Sequence, residues 1–262
     1  MLIAQITDCH VTARGRLAMG EIDTPAALRR TVAFLNALTP RPDLVVITGD
    51  LINGPQPGEY EMAAELLADL ALPCLMIPGN HDSRDGMRSA FAATGAVPAE
   101  GQFLHQSRRL GPLHLLALDT HLPGRTEGGL CEERLAWIAR RLEEAGDTPT
   151  LVLMHHPPFV SGIVGMDRIM CGGADRLAEL LRGRPIAGIL CGHVHRAITA
   201  PFAGTTAFCA PSAAFQLALT LGDLPLAWTR EPPAMAMHLW DPAHGLRNHV
   251  APIGDFPPTP FR

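Results

Sequence analysis

Five short stretches carry side chains able to do metal chemistry: TDCH with Asp8 and His10, TGD with Asp50, GNHD with Asn80 and His81, MHHPP with His155 and His156, and CGHVH with His193 and His195. Carboxylate, imidazole and carboxamide oxygen without a thiolate suit Mn, Fe, Co or Zn. Even seven of these nine groups exceed what one tetrahedral ion takes and suit two ions with open positions. Two ions need a bridge, and Asp50, alone in its stretch, can give one oxygen to each. A single His after a strand is more often an ordinary core or surface residue. Six of the twelve histidines fall in these stretches, however, and each stretch follows an apolar run, which favours one shared metal site.

The elements that must position these groups are legible as alternating runs. LIAQIT, DLVVIT and PCLMI read as strands, and TPAALRRTVAFLNAL, GEYEMAAELLADL and RDGMRSAFAAT follow them with helical period. LHLLALD, TLVLMHH, IAGILCG, TTAFCA and AMAMHLWD add strands to give at least eight, with CEERLAWIARRLEEAG and ADRLAELLRG as helices between. Repeated β-then-α predicts a layered α/β domain, and in such domains ligands bind beyond the carboxyl ends of the strands. The chemistry-bearing residues stand at those ends. Asp8 and His10 share a face around Cys9, as His193 and His195 do around Val194. Gly49, Gly79 and Gly192 precede functional groups, as expected where backbone must turn or approach closely.

Composition removes competing classes. The chain of 262 residues is 47% hydrophobic, enough for a sizeable core, and its net charge of −5 gives no footprint for gripping nucleic acid. All 21 basic residues are arginine, so neither a lysine Schiff base nor a Walker A lysine exists. The six cysteines include no CxxC pair and read as reduced thiols of a cytoplasmic protein. No apolar run approaches a membrane span, and MLIAQITD has neither a basic n-region nor a long apolar h-region, so the chain is expected to be soluble and unexported.

D-x-H, GD, GNHD, HHPP and GHVH in this order resemble the signature of calcineurin-like metallophosphoesterases over residues 2 to about 211. RPDLVVITGDLIN, PGNHD, LMHHPP and MDRIMCGGADRL are most similar to bacterial glycerophosphodiesterases and class III cyclic-nucleotide phosphodiesterases. The resemblance implies a four-layer α/β/β/α sandwich of two mixed sheets flanked by helices, with a small C-terminal cap or oligomerisation hairpin. It gives one metal to Asp8, His10, Asp50 and His195, and the other to Asp50, Asn80, His155 and His193. His81 becomes a non-ligand catalytic group that meets the substrate, with Asp50 the second catalytic residue. His156 is then an outer group, and Asp82 either caps its loop or orients a His ring.

The implied activity is hydrolysis of small organic phosphodiesters, of glycerophosphodiester or 3′,5′-cyclic nucleotide type, by in-line attack of a hydroxide bridging two divalent metals. A phosphatase or nuclease of the same superfamily is the alternative. GDLING and GNHD depart from the GDxVDRG and GNHE of protein phosphatases, and the acidic balance speaks against a nuclease. A non-catalytic metal-binding module is the reading from another class, though every ligand position is filled. Residues 1–211 form the expected core, 212–233 a cap or subunit-contact hairpin, and 234–262 a final core strand and irregular tail. Expected partners are a small phosphodiester and a second copy of the chain, with no nucleic acid polymer and no membrane. His121 is expected in an exposed loop rather than bordering the pocket, and Arg14 and Arg16 in solvent rather than on a substrate phosphate. His105, His114, His238, His244 and His249 are read as structural.

Overall fold

The computed structural model describes residues 1–257, 259 and 260. Its first half alternates as the apolar runs predict: β1 (Leu2–Ile6), α1 (Thr24–Ala37), β2 (Leu44–Thr48), α2 (Glu59–Leu67), β3 (Cys74–Ile77) and α3 (Arg84–Phe91). Two helices begin on side-chain caps that satisfy otherwise orphaned backbone donors. Asp23 accepts the Ala26 N–H at 2.9 Å, and Ser83 accepts the Gly86 N–H at 3.0 Å. The middle of the chain supplies β4 (Gln106–Leu110), β5 (Leu113–Leu118), β6 (Gly128–Gly129), α4 (Glu132–Ala145), β7 (Thr150–Met154) and α5 (Val164–Asp167). It continues with β8 (Cys171–Gly172), α6 (Ala174–Leu181), β9 (Ile186–Cys191), β10 (Ile198–Phe202) and β11 (Thr205–Cys209). A short antiparallel ribbon of β12 (Gln216–Leu217) and β13 (Trp228–Thr229) follows, then a hairpin of β14 (Ala234–Asp241) and β15 (Gly245–Pro252).

The strands form two large mixed sheets, ordered β15-β14-β1-β2-β3 and β10-β11-β9-β7-β5-β4. Parallel strands run together, β1-β2-β3 in one sheet and β11-β9-β7-β5 in the other; antiparallel strands close both edges of the second sheet and one edge of the first, whose other edge is β3. Strand alternation then sorts residues into three cores and so builds four layers. Ala4, Ile6, Val45 and Ile47 face α1, α2 and α3, meeting Leu28, Leu35, Met62 and Met87. Their neighbours Ile3, Leu44 and Val46 face the other way and meet Leu115, Leu151, Leu153 and Phe208 between the sheets. Leu116, Leu118, Val152 and Met154 turn outward again onto Leu135, Ile138, Leu177 and Leu181 of α4 and α6. At about 1.5–3 kcal/mol for each large apolar side chain fully buried, these three cores dominate the fold's stability.

One polar chain crosses the middle core. Gln5 Nε2 donates to Thr48 Oγ1 at 2.8 Å within its own sheet and to the Cys191 carbonyl at 2.9 Å in the other, while its Oε1 faces His238 Nε2 at 2.9 Å. Burial pushes His238 down to about 4, so the ring is neutral and Nε2 donates to Gln5. These bonds register the two sheets directly beneath the strand ends that carry the chemistry.

The segment after residue 233 corrects the expectation of one final strand and an irregular tail, since GLRNHVAP pairs with AMAMHLWD as β15 against β14. The reason is the DPAHG turn, where Asp241 Oδ1 accepts the Ala243 and His244 N–H groups and Gly245 adopts a φ of 69°. Residues 258, 261 and 262 of the expected tail lie outside the described residues. Among the described residues no helix is long and apolar enough to cross a membrane.

Candidate metal centre

Asp8 and His10 follow β1, Asp50 follows β2, Asn80 and His81 follow β3, His155 follows β7, and His193 and His195 follow β9. These strands run parallel within each sheet, β3 at an edge and the others inside, so their carboxyl ends meet at one rim where the sheets face each other. The backbone there is strained. Asp8, His10, Asp50, His193 and His195 have φ of 52°, 46°, 50°, 73° and 53°, a left-handed conformation that disfavours any residue with a Cβ. At roughly 1–2 kcal/mol each, the strain persists because neighbours over-determine it. Asp8 N–H donates to the Gly49 carbonyl and His10 N–H to the Asp50 carbonyl, both at 3.0 Å. His193 N–H donates to the Asp8 carboxylate at 3.0 Å, and Ser212 Oγ donates to the Asp8 carbonyl at 2.8 Å. Two glycines make the approach feasible: a Cβ on Gly79 would sit 2.1 Å from Asp50 Oδ1, and one on Gly192 would sit 2.1 Å from Thr7 Oγ1.

The donor atoms gather in overlapping clusters. Asp8, His10 and His195 form one, and Asp8, Asp50 and His155 another, each with its donor atoms within 4.8 Å of one another. Asp50 Oδ2 lies 3.4 Å from His155 Nε2, 3.8 Å from His10 Nε2 and 4.0 Å from His81 Nε2. Asn80 Oδ1 lies 3.3 Å from His155 Nε2, and His195 Nε2 lies 3.3 Å from Asp8 Oδ1. Outward-facing ring nitrogens are tied to backbone carbonyls, which fixes which nitrogen looks inward. His155 Nδ1 donates to the Thr48 carbonyl at 2.7 Å, His195 Nδ1 to Phe215 at 2.9 Å, and His193 Nε2 to Ile169 at 3.0 Å. His10 Nδ1 is buried without such a partner.

Electrostatics show that this donor set fits cations. Burial works against the charge of both Asp8 and Asp50, yet the facing His195 and His155 hold Asp8 at about 2 and Asp50 well below the carboxylate range. Burial and neighbouring imidazoles push His10 and His193 down to about 3, which keeps both rings neutral. His155 and His195 rise instead, despite burial, because Asp50 and Asp8 stand against them. His10 Nε2 and His195 Nε2 face each other at 3.1 Å. In the bare protein protons therefore supply the positive charge that buried carboxylates demand, and a metal ion would supply it with more ligands satisfied.

His81 also clusters with His10 and Asp50, and His156 with His155 and His193, so these two are told apart by what their ring nitrogens bond. His81 is partly exposed and has Nδ1 on the Asn53 carbonyl at 2.6 Å, so its Nε2 looks into the cleft. His156 is buried with Nδ1 on Thr120 Oγ1 at 2.8 Å and Nε2 facing the Thr126 carbonyl at 3.2 Å, so both nitrogens are taken. Asp82 is the loop cap: its carboxylate accepts the N–H groups of Gly79, Leu51 and Ile52. His121 corrects the expectation of an exposed loop residue, being 5% exposed, because Arg84 and Arg134 both donate to its carbonyl and draw the loop inward. Arg14 is exposed and paired with Glu65.

A cleft of about 230 Å³ opens over the cluster, with Met19, Asn53, Met166, Ile169, Phe215 and Leu217 among its walls and, among the described residues, no arginine lining it. Phe215 and Leu217 belong, with Ser212, to the 212–233 segment expected as a cap or subunit contact, whereas sequence reasoning singled out none of the other walls. Phe215 packs 5.2 Å from the His10 ring and 4.8 Å from His195, and its only advance signal was an aromatic in an apolar segment. The carbonyls of Thr48 and Ile169 left no signal at all, because any residue type supplies one.

A sequence profile described as calcineurin-like phosphoesterase matches residues 1–197. The chain is 34% identical over 271 residues to the probable glycerophosphodiester phosphodiesterase GpdQ of Arcobacter nitrofigilis, covering 100% of this chain and 97% of that protein. It is 33% identical over 218 residues to the 3′,5′-cyclic adenosine monophosphate phosphodiesterase CpdA of Escherichia coli K12, covering 82% and 76% of the two chains. Among solved structures, GAP50, the anchor in the inner membrane complex of Plasmodium, superposes with a TM-score of 0.62 at 12% identity, over 96% of this chain and 84% of that one.

The cluster's charge predicts a pH dependence for the metal-free protein. His155 is lifted from 6.5 to about 9, so the folded state holds its proton more tightly than the unfolded chain does. That stabilisation is full below about pH 6.5 and is lost as pH rises through about 9. Urea midpoints are expected to fall across this window and Asp50→Asn to flatten the fall, whereas a midpoint that climbs across it contradicts the pairing.

Proposed function

The chain belongs to the calcineurin-like phosphoesterase family and is a metal-dependent phosphodiester hydrolase, and we propose that it uses two ions to cleave small organic phosphodiesters. The observation that carries the two-ion reading is the placement of Asp50, whose Oδ2 is within 4 Å of imidazoles on both sides, His10 and His155. Asp8, His10, Asp50 and His195 would hold one ion, and Asp50, Asn80, His155 and His193 the other. The donor chemistry favours Mn, Fe, Co or Zn. When bound, such ions neutralise phosphate charge and lower the pKa of water toward neutrality.

The chain's own residues do the rest. The Asn53 carbonyl accepts from His81 Nδ1–H and so fixes the ring with Nε2 over the cleft, where the doubly protonated imidazolium would give its Nε2 proton to a leaving oxygen. Met166, Ile169, Phe215 and Leu217 keep water from the reacting face and strengthen each electrostatic contact there. A monoester carries a second negative charge and a diester one. With no arginine among the described residues lining the cleft, the diester is the better fit, and the same feature disfavours a nucleic acid polymer. Glycerophosphodiesters and 3′,5′-cyclic nucleotides, the substrate types named for the relatives, are the classes to test first. The free cysteines accord with a cytoplasmic enzyme.

The ribbon after residue 211 serves as a subunit contact in this reading. Leu219, Leu221, Leu224 and Leu226 are 60%, 64%, 53% and 45% exposed, an apolar surface that a second copy of the chain would cover.

Purified protein stripped with chelator and reloaded with Mn should regain hydrolysis of diesters ahead of monoesters; full activity without metal, or a preference for monoesters, contradicts the proposal. His81→Ala should lower turnover by about 10²–10⁴-fold while two ions stay bound, whereas Asn80→Ala should lose one ion, and equal metal loss by elemental analysis would show the pair to be misassigned. Leu221→Asp with Leu224→Asp should reduce the mass seen by light scattering, and a wild type that already runs as a monomer removes the ribbon contact.

A further inference from the structure

Two residues beyond the GNHD stretch stands one that neither ligates nor reacts. Arg84 opens α3, immediately after the loop that carries Asn80 and His81, and its side chain leaves its own sheet's half of the molecule. It meets Asp119, the first residue after β5 in the other sheet. Nε donates to Oδ2 at 2.6 Å and Nη2 to Oδ1 at 2.9 Å, a bidentate pair, and Nη2 also donates to the His121 carbonyl at 2.6 Å. The Asp119 carboxylate is filled by two more donors, the Leu104 N–H at 2.9 Å and the His121 N–H at 3.0 Å. The pair is dry: the Arg84 side chain is 14% exposed and that of Asp119 0%.

Burying such a pair carries a high desolvation cost for each ion before their attraction offsets it, so its presence is weak evidence for a role in stability. Its location points to its use. The Asn80–His81 loop is fastened on one side by Asp82, which accepts N–H groups of the neighbouring β2 loop in the same sheet. Arg84 fastens the other side to the opposite sheet, to the segment that bears Thr120 on His156 and Thr126 at the cleft. Asn80 comes from one sheet and His155 from the other, and their facing atoms are 3.3 Å apart. That separation depends on how the two sheets' loops are tied.

We propose that Arg84 and Asp119 form a positioning clamp that sets the Asn80 side of the metal centre, so that breaking it weakens the ion shared by Asn80, His155 and His193 and leaves the ion at Asp8, His10 and His195 in place. The inference rests on the two-ion reading and adds to it a control on one ion alone. Burial opposes the Asp119 charge, and its hydrogen bonds to Arg84 more than offset this, so the carboxylate stays ionised and the clamp closed.

Calorimetric titration of chelated wild type, Arg84→Met, Arg84→Lys and the neutral pair Arg84→Met with Asp119→Asn, each with Mn alone, tests this. Wild type should show two binding events. Arg84→Met should weaken one of them by about 10–100-fold and the other by much less, Arg84→Lys should fall between, and saturating Mn should restore kcat. Should Arg84→Met not fold, the neutral pair carries the measurement, and failure of both to fold makes the pair merely structural and overturns the clamp. Two events unchanged, or both weakened alike, also overturn it. A wild type that binds a single ion overturns the two-ion reading itself, which distinguishes that failure from failure of the clamp.

Discussion

Two carboxylates that water does not reach, Asp8 at 0% and Asp50 at 2% exposure, stand at the ends of adjacent strands, and the rest of the site is arranged around their charge. Each remains ionised because imidazoles face it, and those imidazoles come from the other sheet. Moving such anions from water into the protein costs several kcal/mol apiece unless positive charge meets them. The fold answers with His195 on Asp8 and His155 on Asp50, and with backbone held in left-handed conformations to bring the groups together. The strain and the buried charge occur in the same few residues, as expected where a site has been preorganised for a ligand rather than for stability.

Because donors come from both sheets, the site is only as well defined as the register between them. That register is fixed at several depths. Apolar packing of Leu115, Leu151 and Leu153 on Ile3 and Val46 sets the spacing of the layers, and Gln5 ties Thr48 to Cys191 below the strand ends. At the rim His155 donates to the Thr48 carbonyl and His193 to the Asp8 carboxylate, so two of the donor residues are themselves cross-sheet fasteners. Arg84 and Asp119 complete the set at the far side of the Asn80 loop. Structure and chemistry share residues here, and changes in one are felt in the other.

Much of this was legible in the sequence, for reasons that particular residues make plain. Strands such as DLVVIT are continuous apolar runs because both faces are covered, and runs of that kind alternating with helical periodicity announce a layered α/β fold. The chemistry-bearing residues were visible because side-chain type is what metal chemistry selects, and their position after each strand placed them at one rim. What stayed hidden was carried by the backbone or by distance along the chain. Thr48 and Ile169 act through carbonyls, which no residue type signals. Arg84 and Asp119 are 35 residues apart, and neither looks unusual until the two sheets are packed. His121 looked like a loop histidine because its burial comes from Arg84 and Arg134, residues that read as surface charges. β15 was missed because GLRNHVAP is an edge strand of mixed polarity, with little periodicity to mark it.

The central claim is that Asp50 is shared between two cations, and anomalous diffraction from crystals equilibrated with Mn tests it most directly. The account predicts two metal peaks, both within coordination reach of the Asp50 carboxylate, one also touching Asp8, His10 and His195 and the other Asn80, His155 and His193. A single peak, or two peaks of which only one touches Asp50, would contradict it.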